Sequence, residues 1–212
     1  MPGTLVLSAW DPEIAPLRAL AGGGGRSWRA AAVGVGPVDA GIGAVRAIAR
    51  HRPERVIFVG TAGSYPGAPI GIGEAAVAGA MVAVSTAALR NQAYIPGPQI
   101  MRASASRDLS EALRGSARGR SRPARVAVAC PMAITRSARL ARQIAGATGS
   151  ALENLEAFAV ARAAAGAGVP FAAVLGVSNR VGPAGHREWR VNHVAASRAA
   201  CALVSNYLAG RR

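Results

Sequence analysis

Lysine is absent from this 212-residue chain, and all 25 of its basic residues are arginine. Only ten residues are acidic, so the formal net charge is +15, a balance that is compatible with nucleic-acid binding. The arginines are scattered among alanine-rich segments, however, and do not gather in one tail. The densest run, RGSARGRSRPAR (114–125), is interpreted as an exposed connection, with an anion-attracting rim as the alternative. We therefore expect no nucleic-acid partner.

Cysteine, histidine and long apolar runs are also scarce. The two cysteines, Cys130 and Cys201, lack a metal-type spacing and are predicted to be buried, reduced thiols. The three histidines form no ligand pattern such as HExxH, so we expect neither a metal site nor a cofactor. No apolar run is long enough to span a bilayer, and the N-terminal segment has no basic start and no cleavage motif. A cytoplasmic protein without a membrane partner is expected.

What the sequence does contain is an alternation of strand-like and helix-like segments. Strands are predicted at 4–9, 28–36, 55–65, 70–85, 124–134 and 170–182. Helices are predicted at 12–21 with Asp11 as its cap, and at 37–51, 107–115, 135–149, 150–168 (with a brief strand before it as an alternative) and 189–210. Continuous apolar strands separated by helices are typical of a mostly parallel, buried sheet. The sequence therefore predicts one α/β domain over residues 1–212.

Polar side chains collect where the predicted strands end, and in such sheets ligands bind at the carboxyl ends of the strands. Glu13 follows the first strand, Thr61–Gly63 end the third, and Asn179 ends the last. Glu156 lies on or just before the helix that precedes that last strand. Taken singly, Glu13 is an ordinary first-turn helix acid and Asn179 an ordinary turn residue. Several such residues in a chain with few acids indicate a shared site.

Four segments resemble the purine nucleoside phosphorylase/methylthioadenosine nucleosidase family across nearly the whole chain. They are SAWDPEIAPL, GVGPVDAGIGAVRAI, FVGTAGSYPGAPIGIGE and ENLEAFAVARAAAGAGVPFAAVLGVSN, in this order. The chain departs from the family pattern at Leu155, where the family has Met, and at Glu74, where Asp is usual. The resemblance implies a three-layer nucleoside phosphorylase-like fold with a mostly parallel mixed central sheet flanked by helices. Within the family, ENLE (153–156) and SNRVGPAGHREW (178–189) are most similar to the futalosine hydrolases.

The resemblance implies roles for three residues in cleaving an N-glycosidic bond. Glu13 matches the general base that activates water, and Glu156 matches the carboxylate that binds the ribose hydroxyls. Asn179 stands where adenine-specific relatives have an acidic Asp, beside purine N7. An amide cannot give up a proton as an acid does, but it can donate hydrogen bonds to N7 and to an O6 acceptor. Asn179 therefore favours a 6-oxopurine over adenine.

Further residues that line the substrate follow from the same resemblance. Thr61, Ala62, Gly63 and Leu155 are expected on the sugar and base side. Ala133 and Ile134 are expected to offer backbone groups to the purine edge, with the stacking partner of the base left open because Ala133 stands where the family often has an aromatic residue.

The family includes both hydrolases and phosphorylases. The first strand ends in SAWDPE, without the Gly-Asp-x-x-Arg pattern of a phosphate cradle, and a carboxylate at Glu13 would repel phosphate. Water is therefore the favoured nucleophile, although Arg18, Arg26, Arg46 or Arg90 could enter the site from elsewhere. The expected activity is hydrolysis of futalosine to hypoxanthine and dehypoxanthinyl futalosine, a step of menaquinone biosynthesis, by a homodimer. The alternatives are a purine nucleoside phosphorylase, a methylthioadenosine-type nucleosidase, or a nucleoside-binding member without turnover.

Overall fold

The computed structural model describes residues 3–20, 27–118 and 122–210. Its strands are β1 (Thr4–Ser8), β2 (Trp28–Ala32), β3 (Arg55–Ser64), β4 (Ala75–Val84), β5 (Arg102–Ser104), β6 (Arg125–Pro131), β7 (Leu152–Glu153) and β8 (Phe171–Arg180). Its helices are α1 (Asp11–Leu20), α2 (Pro37–His51), α3 (Thr86–Leu89), α4 (Arg107–Gly115), α5 (Ala138–Thr148), α6 (Ala157–Gly166) and α7 (Gly185–Ala209). The predicted alternation of strands and helices is confirmed.

The sheet is mixed, and part of it closes on itself. Five strands pair in the circular order β3–β8–β4–β6–β7 and back to β3, while β1 and β2 extend from β3 and β5 pairs with β4. The pairs β1–β2, β1–β3, β3–β8, β4–β6 and β6–β7 are parallel, which confirms the mostly parallel sheet. The pairs β3–β7, β4–β5 and β4–β8 are antiparallel. The sequence pattern did not predict the closure.

Helices cover both faces of the sheet, because the strands are apolar on both sides. In β3, Val56 and Phe58 pack in a cluster with α2 and α6, whereas Ile57 and Val59 pack in a second cluster with α1, α4 and α7. All four side chains are fully buried, and each contributes about 1.5–3 kcal/mol by leaving water. The three-layer arrangement is therefore confirmed. In the described part of the chain, no helix is both long and apolar enough to cross a membrane.

The predicted helix over 150–168 is wrong at its start. Residues Leu152–Glu153 form β7, the brief strand considered as an alternative, and α6 begins at Ala157. The side chain of Asn154 accepts hydrogen bonds from the amides of Glu156 and Ala157, which caps the first turn. Strand pairing with β3 and β6 overrides the helical propensity of this segment, and a single-sequence pattern does not show that pairing.

Other boundaries also differ from the predictions. Helix α7 begins at Gly185, four residues before the predicted start at 189, because Glu188 accepts a hydrogen bond from the backbone amide of Arg180 and ties the first turn to β8. Helix α1 begins at Asp11 itself. Short α3 and β5 were not predicted. The last residue of the predicted helix over 12–21 lies outside the described residues.

The predicted basic loop over 114–125 is only partly a loop. Arg114 belongs to α4, and both Arg114 and Arg122 pair with the carboxylate of Glu111 at 2.8 Å. Residues 119–121 lie outside the described part of the chain. Both cysteines are free and buried, as predicted.

Candidate active site

One cavity of about 390 Å³ opens at the ends of the strands. It gathers residues that follow β1, the second half of β3, the end of β8, the turn from β7 to α6, and the first turns of α7. Its wall consists of Ala9, Trp10, Glu13, Val35, Thr61, Ala62, Gly63, Ile134, Glu153, Asn154, Leu155, Glu156, Ser178, Asn179, Gly185, His186 and Trp189. The cavity lies at the carboxyl ends of the parallel strands β1, β3 and β8, where ligands bind in α/β sheets.

Glu13 is anchored at one carboxylate oxygen. Its Oε1 accepts a hydrogen bond from the backbone amide of Thr61 at 2.9 Å and another from the Thr61 hydroxyl at 2.7 Å. The hydroxyl in turn accepts a hydrogen bond from Trp189 Nε1 at 3.3 Å, which orients its proton toward Glu13. Among the described residues, no donor reaches Oε2 of Glu13, so this oxygen remains for a ligand in the cavity.

Burial raises the pKa of Glu13 from 4.5 to about 7. The two hydrogen bonds from Thr61 oppose this shift, and the nearby charge of Glu156 adds to it. The side chain is 8% exposed, so loss of solvation dominates. A carboxylate that titrates near neutral pH is well matched to the work of a general base.

Glu156 lies at the beginning of α6, on the opposite side of the turn from β7. Gly36 lies in the loop between β2 and α2, and its backbone amide donates a hydrogen bond to Oε1 of Glu156 at 2.9 Å. Gly36 has φ of 85°, a conformation that favours glycine and turns its amide toward the carboxylate. Burial raises the pKa of Glu156, and the hydrogen bond from Gly36 acts against that rise.

The side chain of Asn154 connects Thr61, which holds Glu13, to the backbone of Glu156. Its Oδ1 accepts from the amides of Glu156 and Ala157 at 3.1 and 2.8 Å, while its Nδ2 donates to the carbonyl oxygen of Thr61 at 3.1 Å. The side chain is 7% exposed, and both ends of its amide are satisfied.

Asn179 follows a bulge in β8. Ala62 pairs with Val177 but Gly63 pairs with Asn179, so Ser178 is an extra residue without a partner on β3. Asn179 Nδ2 donates to the carbonyl oxygen of Arg180 at 3.0 Å, and Oδ1 accepts from the Ser178 hydroxyl at 2.8 Å. One of the two Nδ2 hydrogens therefore remains for a ligand.

A third carboxylate, Glu153, holds the segment that leads into α5. Its Oε1 accepts from the backbone amide of Thr135 at 2.9 Å, and its Oε2 accepts from the Tyr65 hydroxyl at 2.6 Å. Burial together with the charge of Glu153 raises the pKa of Tyr65, so the phenol stays a donor. This arrangement fixes Ile134, which precedes Thr135, in the cavity wall.

Aromatic rings surround the mouth of the cavity. Trp189 is stacked between His186 and His193, with ring centroids 5.9 and 4.5 Å away. Trp10, which follows β1, lies 6.4 Å from Trp189 and is 43% exposed. These rings, together with the exposed Val35 of the cavity wall, present flat apolar surface to anything that enters.

The structure brings together all the sequence-predicted site residues except Ala133. Glu13, Glu156 and Asn179 share the cavity with Thr61, Ala62, Gly63, Leu155 and Ile134. Ala133 is exposed and is not part of the cavity wall, because the chain turns outward between β6 and α5.

Sequence reasoning did not include Trp10, Val35, Asn154 or His186 among the site residues. Two features of the sequence could have indicated them. Asn154 belongs to the ENLE motif, and Trp10 lies between β1 and Glu13. The contacts that bring the side chains into the wall are long-range.

A family model described as the phosphorylase superfamily matches residues 20–209. The chain belongs to the phosphorylase superfamily. Among curated protein sequences, none matches it.

Solved structures with this fold include two enzymes of Helicobacter pylori. One is a 5'-methylthioadenosine/S-adenosylhomocysteine nucleosidase and the other a futalosine hydrolase; each has a TM-score of 0.89 and 16% identity, with 99% of this chain and 98% of theirs covered. A nucleosidase of the first kind from Neisseria meningitidis, in complex with methylthio-immucillin-A, has a TM-score of 0.87 and 17% identity, with 99% and 100% covered. At these identities the likeness shows the fold.

In this member of the phosphorylase superfamily, the cavity wall is acidic. Within the described ranges it contains the carboxylates of Glu13, Glu153 and Glu156 and no arginine. The arginines that could have entered the site, Arg18, Arg46 and Arg90, are exposed and do not line it, and Arg26 lies outside the described residues. The arginines that flank the end of β8, Arg180, Arg187 and Arg190, are also exposed and outside the wall.

Proposed function

We propose that the protein is a nucleosidase that hydrolyses the N-glycosidic bond of a 6-oxopurine nucleoside. The observation that carries this proposal is an anchored carboxylate, Glu13, in a cavity whose described wall has no arginine. Two like charges 4 Å apart repel by roughly 4 kcal/mol at an effective dielectric constant of 20, so phosphate is disfavoured at pH values above the Glu13 pKa of about 7, where this carboxylate is ionised. Water carries no such penalty, so it is the expected nucleophile.

The proposed reaction uses three side chains. Oε2 of Glu13 accepts a proton from water, whose oxygen forms the new bond to the anomeric carbon while the bond to the purine nitrogen breaks. Glu156 accepts hydrogen bonds from the ribose hydroxyls and stabilises the positive charge that develops on the sugar. The bonding electron pair leaves with the purine. Asn179 Nδ2 stabilises the negative charge on the purine by donating a hydrogen bond to N7. The departing base takes its proton from solvent, and Glu13 then releases the proton of the water to solvent, which restores the base.

Asn179 supports a 6-oxopurine base. Its amide has one remaining Nδ2 hydrogen, which N7 and O6 can share as acceptors, whereas the amino group of adenine would place a second donor against this one. An unpaired donor in a buried site costs about 1–3 kcal/mol, which favours hypoxanthine or guanine over adenine by roughly tenfold or more.

Futalosine is the substrate that we propose within this class. The likeness of ENLE and SNRVGPAGHREW to futalosine hydrolases supports it, as do the rings of Trp10, His186 and Trp189, whose flat surfaces suit an aromatic group beyond the ribose. The same apolar mouth would accept a thioether, so methylthioadenosine is the alternative substrate.

An assay of base release separates these activities. The protein is incubated with futalosine, inosine and methylthioadenosine, each with and without phosphate, and the free base is measured by chromatography. Hypoxanthine from futalosine without phosphate is the expected result. Strict dependence on phosphate would overturn hydrolysis, preference for methylthioadenosine would overturn the 6-oxopurine assignment, and binding without release would indicate a member without turnover.

The functional unit that we propose is a homodimer formed across the mouth of the cavity. Val35 and Ile134 line the cavity and are 63% and 61% exposed. Beside Val35, helix α2 exposes Val38, Ile42 and Val45, which are spaced along one helical face. A continuous apolar surface of this kind is typical of a contact with another protein chain. An Ile42→Glu variant is expected to be monomeric by light scattering, and a wild-type protein that is monomeric at micromolar concentration would contradict the proposal.

A further inference from the structure

The side chain of Asn154 is the one direct hydrogen-bonded link, among the described residues, between the strand that anchors Glu13 and the turn that carries Glu156. We propose that Asn154 is a positioning residue that holds these two carboxylates in their working arrangement. The kinetic consequences of this inference rest on the proposed hydrolysis. Its structural consequences rest on the hydrogen bonds alone.

The link has an acceptor half and a donor half. Oδ1 accepts from the amides of Glu156 and Ala157, and thereby fixes the first turn of α6 and the Glu156 backbone. Nδ2 donates to the carbonyl oxygen of Thr61, the residue whose amide and hydroxyl hold Glu13. The asparagine side chain carries both a donor and an acceptor, and it is long enough to reach both sets of partners.

Burial makes the hydrogen bonds of the Asn154 side chain costly to lose. Asn154 is 7% exposed and lies between β7 and α6, where its own amide donates to the carbonyl oxygen of Ala129 in β6. Removing one half of its side-chain contacts leaves a buried backbone group without a partner, because water has little access there. Asn154 therefore transmits any displacement of the α6 turn to Thr61, and from Thr61 to Glu13.

The arrangement matters because the two carboxylates affect each other. The charge of Glu156 contributes to the raised pKa of Glu13. The cavity wall also contains the titratable side chains of Glu153 and His186, and the thiol of Cys201 in α7 donates to the Glu13 carbonyl oxygen at 3.3 Å. A change in the distance between Glu13 and Glu156 will appear as a change in the titration of Glu13.

Two substitutions separate the halves of the link. Asn154→Asp keeps the acceptor that caps α6 but turns an oxygen toward the Thr61 carbonyl oxygen, where the donor was. Asn154→Ser keeps a cap of the kind that Ser106 provides for α4, but it is too short to reach Thr61. The matched control is Ser106→Ala, which removes a helix cap away from the cavity and is expected to lower Tm by about 2–4 °C without changing kcat.

The experiment combines kinetics with a titration that needs no turnover. Both Asn154 variants are expected to lower kcat by about 10- to 100-fold with a smaller change in KM, because the base is misplaced while the cavity wall changes only at Asn154 itself. In Asn154→Asp the acidic limb of the kcat/KM profile is also expected to move to higher pH, since a carboxylate is added near Glu13. The chain has seven glutamates, so carboxyl ¹³C NMR can follow Glu13 in each variant.

The two readouts keep this inference distinct from the proposed function. If wild-type protein hydrolyses no nucleoside, the proposed function fails, while a shifted Glu13 titration in Asn154→Ser, which adds no charge, would still support the positioning role. Wild-type kcat and an unchanged Glu13 titration in a folded Asn154→Asp protein would overturn the role. If that variant does not fold, Asn154→Ser decides by the same two measurements, and wild-type values there would overturn it equally.

Discussion

Thr61 holds Glu13 by donating its backbone amide and its hydroxyl to the same carboxylate oxygen, at 2.9 and 2.7 Å. The arrangement fixes the direction of the second oxygen, to which no group among the described residues donates a hydrogen bond. It also leaves the carboxylate more costly to ionise than one in water, since two hydrogen bonds do not replace full solvation. The behaviour of Glu13 with pH and on substitution follows from this geometry.

Replacing Glu13 by glutamine is expected to lower kcat by about 10²–10⁴-fold, because the amide cannot accept the proton of water. The amide oxygen can still accept both hydrogen bonds from Thr61, so the fold should be retained. Base release from futalosine measures the effect. The control is Glu54→Gln, which makes the same chemical change at an exposed residue and should leave kcat unchanged. Full activity in Glu13→Gln would remove the proposed base.

The raised pKa of Glu13 makes the wild-type protein less stable as the pH increases. Between the ordinary value of 4.5 and about 7, the unfolded chain has lost this proton and the folded chain retains it. The free energy of unfolding therefore falls through that window by about 3 kcal/mol from this group alone, and levels off above it.

Urea unfolding at pH 5, 6, 7 and 8 tests this relation in wild-type protein and in Glu13→Gln. The variant should lack the fall due to Glu13 and should be the more stable of the two at pH 8. Parallel stability curves for the two proteins would show that Glu13 titrates normally. The wild-type kcat/KM profile should rise with pH to a plateau, with an apparent pKa near 7.

Asn179→Asp is expected to shift base preference from 6-oxopurines toward adenine. An acidic side chain can donate a proton to N7 and can accept from the adenine amino group. The ratio of kcat/KM for inosine to that for adenosine should fall by about 10- to 100-fold. Asn206→Asp, the same change near the end of α7 and outside the cavity wall, is the control and should not alter the ratio. An unchanged ratio in Asn179→Asp would mean that the base is recognised elsewhere.

Gly63→Ala tests how closely Asn179 is packed. A Cβ at Gly63 would lie 2.9 Å from Asn179 Nδ2 and 2.8 Å from Val181 Cγ2, so the amide must move. Overpacking of this kind costs about 1–3 kcal/mol, and KM for the nucleoside should rise roughly tenfold. Gly146→Ala is the matched control: its Cβ would meet nothing within 4 Å in α5, and it should raise stability slightly. Equal kinetics in the two variants would contradict this packing.

Local patterns predicted the alternation of strands and helices, and the family resemblance implied the three layers and eight of the seventeen residues of the cavity wall. Glu13, Gly63 and Asn179 each lie at or just beyond the end of an apolar strand, and parallel strands bring such ends together. The sequence did not show that β7 closes a ring of strands or that Trp189 reaches the Thr61 hydroxyl at 3.3 Å. Those features depend on contacts between residues far apart in the chain, which periodicity does not encode.

Ser178 determines what the loss of one residue from β8 would change. It is the one residue of β8 that has no partner opposite it on β3, between the pairs Ala62–Val177 and Gly63–Asn179. A chain without Ser178 could pair β3 with β8 in unbroken register, with Asn179 still opposite Gly63 but without the Ser178 hydroxyl that donates to its Oδ1. A single-residue deletion would thus preserve the strand pairing and remove one of the two hydrogen bonds that orient the Asn179 amide. The extra residue of β8 therefore contributes no strand pair of its own to β3, but it orients the side chain that follows it.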